Sequence, residues 1–174
     1  QWVKIATLLL CAALFILTGC GSGHTVSIDS LKNTNGGFAL GALPWGASIQ
    51  EVQKQLRLTF SWCSDAQIDL SDANAVAAVP SLYCADRSAG WEIGDTSATA
   101  QFSFQYGALT DIQFMLDASN AQAISSMEAV LLAQYGTPDA QFELAAGNGF
   151  SWRWDGTDGT KLFWMTVKHG EQIQ

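Results

Sequence analysis

The chain has 174 residues, of which 16 are acidic and 8 are basic, so its formal net charge is −8. Such a chain has no basic stripe to neutralise phosphates, which excludes nucleic acid as an expected partner and disfavours electrostatic adhesion to anionic lipid. Aromatic residues are frequent (11%) beside a charged fraction of only 14%, which argues against an intrinsically disordered chain.

The first 19 residues have the pattern of a signal peptide. Lys4 provides a small positive region, and twelve apolar or nearly apolar residues follow at 5–16. The next four residues, Leu17-Thr18-Gly19-Cys20, resemble the lipobox of bacterial lipoproteins. The resemblance implies a cleaved leader and a lipidated Cys20 (diacylglyceryl and palmitate chains), which would anchor the mature protein to a membrane of the cell envelope. Several acyl chains give the stable anchoring that a single chain does not.

Gly21 follows the lipobox cysteine where Asp would favour the inner membrane, so the resemblance implies the outer membrane, facing the periplasm. The alternative is an uncleaved transmembrane helix, because the uncharged run at 5–23 is nominally long enough to span a bilayer. That run ends in glycines and a serine with no positively charged stop after it. We therefore favour the lipoprotein.

Residues 20–37 are polar and rich in Gly, Ser and Asn. We expect them to form the lipidated cysteine and a flexible tether, which as a coil would span on the order of 20–25 Å. The sequence thus predicts three parts: a signal peptide at 1–19, the tether at 20–37, and a single globular domain at 38–174.

The globular domain begins with a turn around Pro44 and a first helix. Ser48 and Glu51 have the spacing of a capping box, and an apolar stripe at helical spacing follows. Alternating apolar residues at 58–62 predict a strand. We interpret residues 64–81 as a loop with room for one short helix.

The second half predicts a hairpin, a helix and three strands. Apolar residues alternate at 102–106 and 112–116 on either side of Gly107-Ala108. A second helix is expected from Ser119 until Gly136 and Pro138 end it. Strands are expected at about 140–145, 150–155 and 160–168. This order predicts an α+β domain, an antiparallel sheet with two helices packed on one face, and allows two α-then-strands units in tandem.

The end of the second helix and the strand after it resemble known envelope modules, namely the SmpA/OmlA lipoprotein domain and the β-lactamase-inhibitor-protein fold. The resemblance lies in Tyr135-Gly136-Thr137-Pro138 and in Trp152-Arg153-Trp154. It implies a helix, a Gly-x-Pro turn and an aromatic strand. The first helix is followed by Leu56-Arg57-Leu58 in place of such a turn.

Two cysteines, Cys63 and Cys84, remain in the domain. An even pair in an oxidising compartment predicts a disulfide. It would restrict the unfolded chain by roughly 3 kcal/mol on the loop-entropy model. A metal or redox pair is disfavoured, because the spacing is not Cys-x-x-Cys and no His lies nearby.

No catalytic constellation is recognisable. His24 falls in the tether and His169 near the end, so we expect both on the surface. Motifs for serine hydrolases, zinc proteases and phosphate-binding loops are missing from the sequence. The acidic turns at 69–74 and 155–158 lack the spacing of a calcium loop. We therefore expect no metal, no cofactor and no enzymatic activity, although a carboxylate-based enzyme stays open as a minor alternative.

The aromatic residues of the last strands are the remaining signal. Alternation places Phe150, Trp152 and Trp154 on one face of a strand, and aromatics of the next strand fall on both faces. Core packing and partner binding both explain this pattern, since Trp and Arg are common interface anchors. The candidate partner-binding residues are Trp152, Arg153, Trp154 and Trp164.

The leading functional expectation is a non-enzymatic protein-binding or accessory module in the periplasm, with an envelope protein as partner. One alternative is an inhibitor of a hydrolase of the lysozyme or β-lactamase type, which would insert the loop at 91–97 or the acidic segment at 64–74. Another alternative is a lipid or glycan binder.

Overall fold

A computed structural model of the chain describes residues 23–86, 90–116, 121–144 and 149–167. The expected signal peptide and Cys20 lie outside these residues. Within the described ranges, three α-helices accompany a six-stranded sheet and a three-stranded sheet, and no helix is long and apolar enough to cross a membrane. The helices are α1 (Ile49–Leu56), α2 (Ala73–Ala78) and α3 (Ala121–Tyr135). The strands are β1 (Gly23–Val26), β2 (Trp62–Cys63), β3 (Leu82–Ala85), β4 (Gly90–Ile93), β5 (Thr96–Gln105), β6 (Ala108–Leu116), β7 (Ala140–Glu143), β8 (Gly149–Asp155) and β9 (Lys161–Val167).

The α+β class is confirmed, and the pairing is mostly antiparallel as predicted, but the strands divide between two sheets. In the larger sheet, β5 pairs along its length with β6 and on its other side with β4 and β3. The predicted hairpin is β5–β6, but its turn lies one residue earlier than expected, at Tyr106 and Gly107, both with positive φ (49° and 80°), and Ala108 pairs with Gln105 in the ladder. Two residues with positive φ match the right-handed twist of the strands they join.

Helix α1 begins as its capping box predicts. The Ser48 hydroxyl accepts a hydrogen bond from the Glu51 amide (3.3 Å), and the Glu51 carboxylate accepts one from the Ser48 amide (2.7 Å). Ile49 and Val52 are fully buried. Arg57 ends the helix in the left-handed conformation (φ 52°), a position that glycine usually occupies.

The expected strand at 58–62 is wrong for most of its length. Leu58 and Phe60 are buried, but ladder pairing begins only at β2, where Trp62 lies opposite Ala85. The alternation therefore indicated which side chains face the core, but it did not indicate that the backbone pairs with another strand. Residues 64–81 contain the short helix α2, capped by Asp72, within a loop.

The expected tether at 20–37 is wrong over its described part, and the domain begins well before residue 38. Strand β1 pairs in parallel with β4, and a 3-10 turn (Ile28–Leu31) follows it. Val26 and Ile28 are buried, and Lys32 forms a bridge with Phe38. The polar composition concealed this because the strand that pairs with β1 lies more than 60 residues further along the chain.

The second half of the domain follows its prediction closely. Met127 and Leu131 of α3 are buried, and Gly136, with a φ of 77°, follows the helix. The expected cap at Ser119 lies outside the described residues. Strands β7, β8 and β9 confirm the three predicted strands and form an antiparallel sheet in that order.

The segment at 28–38 joins the smaller sheet to the larger one. The Tyr135 hydroxyl donates to the carbonyl of Ile28, and the Phe38 amide donates to Thr160 Oγ1 in the β8–β9 turn (2.7 Å). One continuous core therefore contains residues from Val26 to Trp154. A chain from Gly21 onward contains every described element and the whole of this core.

Candidate functional site

The two faces of the β7–β8–β9 sheet differ in what covers them. Paired residues of antiparallel strands share a face, and Trp152 lies opposite Trp164 while Arg153 lies opposite Phe163. The inner face contacts α3, because Trp164 Nε1 donates to Glu128 Oε1 (3.3 Å). The outer face is thus the one that carries Arg153 and Phe163.

Trp154 belongs to the core and not to a binding surface. It is only 3% exposed, and its indole N–H donates to the Gly136 carbonyl (3.0 Å). The centres of the Trp154 and Tyr135 rings are 6.1 Å apart. The assignment of Trp154 as a partner-binding residue is therefore wrong. Trp152 and Trp164 share the inner face and are half-buried.

The outer face carries an exposed apolar surface, which we call the outer patch. Its four apolar members are about half exposed: Phe142 (48%), Phe163 (54%), Met165 (55%) and Val167 (56%). Ser151 lies between Phe142 and Met165 in the ladder and is buried, so the patch is continuous across the three strands. The uncovered face of an antiparallel sheet is ordinarily polar, and an apolar one marks an interaction surface.

Arg153 lies within the outer patch in a fixed orientation. Its guanidinium group is 5.8 Å from the centre of the Phe142 ring, its Nη2 donates to Asp155 Oδ2 (3.0 Å), and its Nε lies 3.0 Å from Asp155 Oδ1. The charge-assisted hydrogen bond and the ion pair restrict the side chain, and the guanidinium over a ring adds a cation–π contact. The patch therefore combines apolar side chains with one oriented cation.

A shallow depression of about 380 Å³ lies at the β7–β8 side of the smaller sheet, and four of its five lining residues are on the inner face. Phe150 and Trp152 supply its aromatic wall, and Gln141 and Glu143 supply an amide and a carboxylate. Phe142 belongs to both the depression and the outer patch. Aromatic rings beside polar side chains can bind a small polar ligand such as a sugar.

The predicted disulfide between Cys63 and Cys84 is confirmed. The two cysteines are directly opposite in β2 and β3, and Cys84 is fully buried. The bond holds the start of the 64–81 segment against the larger sheet. There, a second depression of about 230 Å³ is lined by residues from Phe60 to Leu70. The role of the disulfide is therefore structural.

The segment expected as a loop at 91–97 consists of β4, a tight turn and the start of β5, and its exposed residues lie at and beside that turn. Trp91 lies in β4 and is 2% exposed, and β4 and β5 are joined by a tight turn at Gly94 and Asp95. The acidic segment at 64–74 does lie on the surface, where hydrogen bonds from Ser71 lower the pKa of Asp69. Those bonds are ordinary turn chemistry.

Among the residues that the structure describes, the histidine and carboxylate side chains form no recognisable catalytic group. His24 stacks on Trp91 with ring centres 4.4 Å apart, so it belongs to β1 and not to a solvated tether, while His169 is outside the described residues. Over the described ranges, no three His, Cys, Asp or Glu side chains come together as a metal site. Burial, and secondarily Asp29, raise the pKa of Tyr135 to about 12, which reflects its packing.

The chain matches no protein-family model, no curated protein and no solved structure. Of the predicted binding residues, only Arg153 lies on the open face. Sequence alternation assigns residues to the two faces of a strand but does not show which face is covered. For that reason the four apolar residues of the outer patch were not among the predicted binding residues.

Proposed function

We propose that the chain is a lipoprotein anchored in the outer membrane through Cys20, with a non-enzymatic protein-binding domain in the periplasm. The observation that carries the binding role is the outer patch, in which four half-exposed apolar side chains share a face with an oriented Arg153. The expected partner is an envelope protein with an apolar surface and an acceptor for the guanidinium.

The magnitude of the apolar contribution is adequate for specific binding. Full burial of one large apolar side chain is worth about 1.5–3 kcal/mol, and each patch member still has about half of its surface to bury. Four such residues therefore provide a few kcal/mol before the entropy cost of association. Arg153 is already oriented by Asp155, which lowers the cost of ordering it on binding.

The envelope location is supported by the lipobox pattern at Leu17–Cys20 and by the disulfide, which is typical of oxidising compartments. Radiolabelled palmitate supplied to cells that express the full chain tests this part. We expect label in the wild type and none in a Cys20→Ser variant. Equal labelling of both chains would contradict lipidation at this residue.

The binding role is tested with the chain from Gly21 onward as bait in an envelope extract, with retained proteins identified by mass spectrometry. Phe163→Ser removes an aromatic ring from the patch, and Tyr83→Ser is the matched control, because Tyr83 is exposed on the larger sheet. We expect a stoichiometric partner that Phe163→Ser loses and Tyr83→Ser keeps. No retained partner, or equal loss in both folded variants, would refute the role of the patch.

Glycan binding is a second candidate, favoured by the depression that Phe150, Trp152, Gln141 and Glu143 line. Cell-wall fragments would stack on the Trp152 ring and accept or donate hydrogen bonds at the two polar side chains. Titration of such fragments should change the tryptophan fluorescence of the wild type. A Glu143→Gln, Trp152→Leu variant should show no saturable change, and a flat titration of the wild type would exclude this candidate.

A further inference from the structure

The free edge of β9 offers backbone hydrogen-bonding groups next to the apolar patch. Strand β9 pairs with β8 on one side, and within the described residues no strand pairs with its other side. In the turn, the Gly156 amide donates to the Thr160 carbonyl (2.7 Å). Hydrogen-bonded and non-bonded pairs alternate in an antiparallel ladder, and the β8–β9 register is regular. Leu162, Trp164 and Thr166 therefore bond to β8, and Phe163, Met165 and Val167 direct their N–H and C=O groups to the free edge.

We propose that a second copy of this chain pairs with this edge, β9 against β9 in antiparallel orientation, to make a continuous six-stranded sheet. A two-fold axis at Trp164 places Phe163 opposite Met165 of the second copy, and Lys161 opposite Val167. The exposed side chains of Phe163 and Met165 then each gain a cross-strand neighbour. An uncovered apolar edge of seven residues is a template for such pairing.

Charge favours this edge over the outer strands β6 and β7. The chain is acidic overall, with a net charge of −8, and β7 and β6 carry Glu143 and Asp111. The only charge on β9 is Lys161, at its first position. In the symmetric register no like charges are opposed, so self-pairing here meets no electrostatic penalty along the strand.

The inference concerns the edge of the smaller sheet and does not depend on the proposed partner of its outer face. The dimer would set two outer patches side by side. Edge pairing buries roughly 1,000 Å² or less, an area typical of weak complexes, and we expect a dissociation constant of about 10–100 µM.

Sedimentation velocity of the chain from Gly21 onward, at concentrations that bracket this range, tests the proposal. Met165→Pro removes an outward N–H and costs no bond to β8, because proline is tolerated where the amide faces solvent at an edge. Met165→Lys places a charge opposite Phe163 of the second copy. We expect a concentration-dependent dimer for the wild type and a monomer for both variants, with near-ultraviolet circular dichroism of the tryptophans confirming that each variant is folded.

Two control variants separate edge pairing from other kinds of association. Met115→Lys changes an equally exposed methionine on the edge strand β6 (52% against 55%), and Phe142→Lys changes the outer face without touching β9. Both should dimerise like the wild type. The proposal is overturned if the wild type is a monomer or if Met165→Pro is a dimer. It is also overturned if Phe142→Lys is a monomer, because the chains would then associate through their outer faces. The measurement uses the purified chain alone, so its failure would leave the capture of a separate partner unaffected.

Discussion

Replacing Trp154 by alanine removes the side chain that connects the smaller sheet to the rest of the core. Trp154 is 3% exposed, contacts the rings of Tyr135 and Trp152 at 6.1 and 6.0 Å, and donates its indole N–H to Gly136. Truncation of a buried tryptophan leaves a large cavity and costs about 3–5 kcal/mol. The Gly136 carbonyl would also lose its donor, which adds about 1 kcal/mol if water does not replace it.

Equilibrium unfolding in urea measures this loss directly. Against a total stability of about 5–15 kcal/mol for a domain, Trp154→Ala should move the midpoint far down or leave the domain partly unfolded. Trp154→Phe keeps most of the apolar volume and should cost less, about 1–2 kcal/mol, from the lost hydrogen bond and the smaller ring.

Phe163→Ala is the matched comparison, because it truncates an aromatic residue on the neighbouring strand that is already 54% exposed. We expect a change in unfolding free energy below about 1 kcal/mol. Similar losses for Trp154→Ala and Phe163→Ala would show that the two faces of this sheet are not distinguished by burial. The assignment of the outer patch would then be wrong.

Three further changes test other parts of the fold. Arg57→Gly should stabilise the domain by about 0.5–1 kcal/mol, because glycine adopts the left-handed conformation at the end of α1 without strain, and an unchanged urea midpoint would contradict this. Gly37→Ala should destabilise by about 1–3 kcal/mol, because the new Cβ would lie 1.9 Å from a carboxylate oxygen of Asp158, which Thr160 holds in place. Burial raises the pKa of Tyr135 to about 12 in the folded chain, so folding favours its neutral form. The resulting stability is present below the unfolded pKa near 10 and is lost as pH rises towards 12, and unfolding measured over that range should show a loss of about 1 kcal/mol that Tyr135→Phe lacks.

The parts of the fold that the sequence predicted well are those whose physical cause is local. The capping box at Ser48 and Glu51 acts within one turn, so it identified the start of α1 without any knowledge of its neighbours. The hairpin at 102–116 depends on alternation on both sides of a two-residue turn. The disulfide was predicted from the even number of cysteines in the domain and an expected oxidising compartment, and it joins β2 and β3.

Other features depended on groups that are distant in the chain. The segment at 23–37 has the composition of a linker, yet its strand β1 pairs with β4. The β8–β9 turn also accepts a hydrogen bond from the Phe38 amide at Thr160 and donates one from Thr157 to the Asn35 carbonyl. Sheet pairing satisfies the backbone whatever the side chains are, so a polar strand is indistinguishable from a tether until its partner is in place.

The sequence by itself therefore determined the α+β class, the order of the elements from β5 to β9, and the two alternating faces of β8 and β9. Only the tertiary structure decided which of those faces is covered. Tyr135 and Glu128 of α3 contact Trp154 and Trp164, so the tryptophans belong to the covered face, and Phe163 and Met165 are left on the open one. A period of two residues is symmetric between the faces of a strand, and the contact of a distant helix breaks that symmetry.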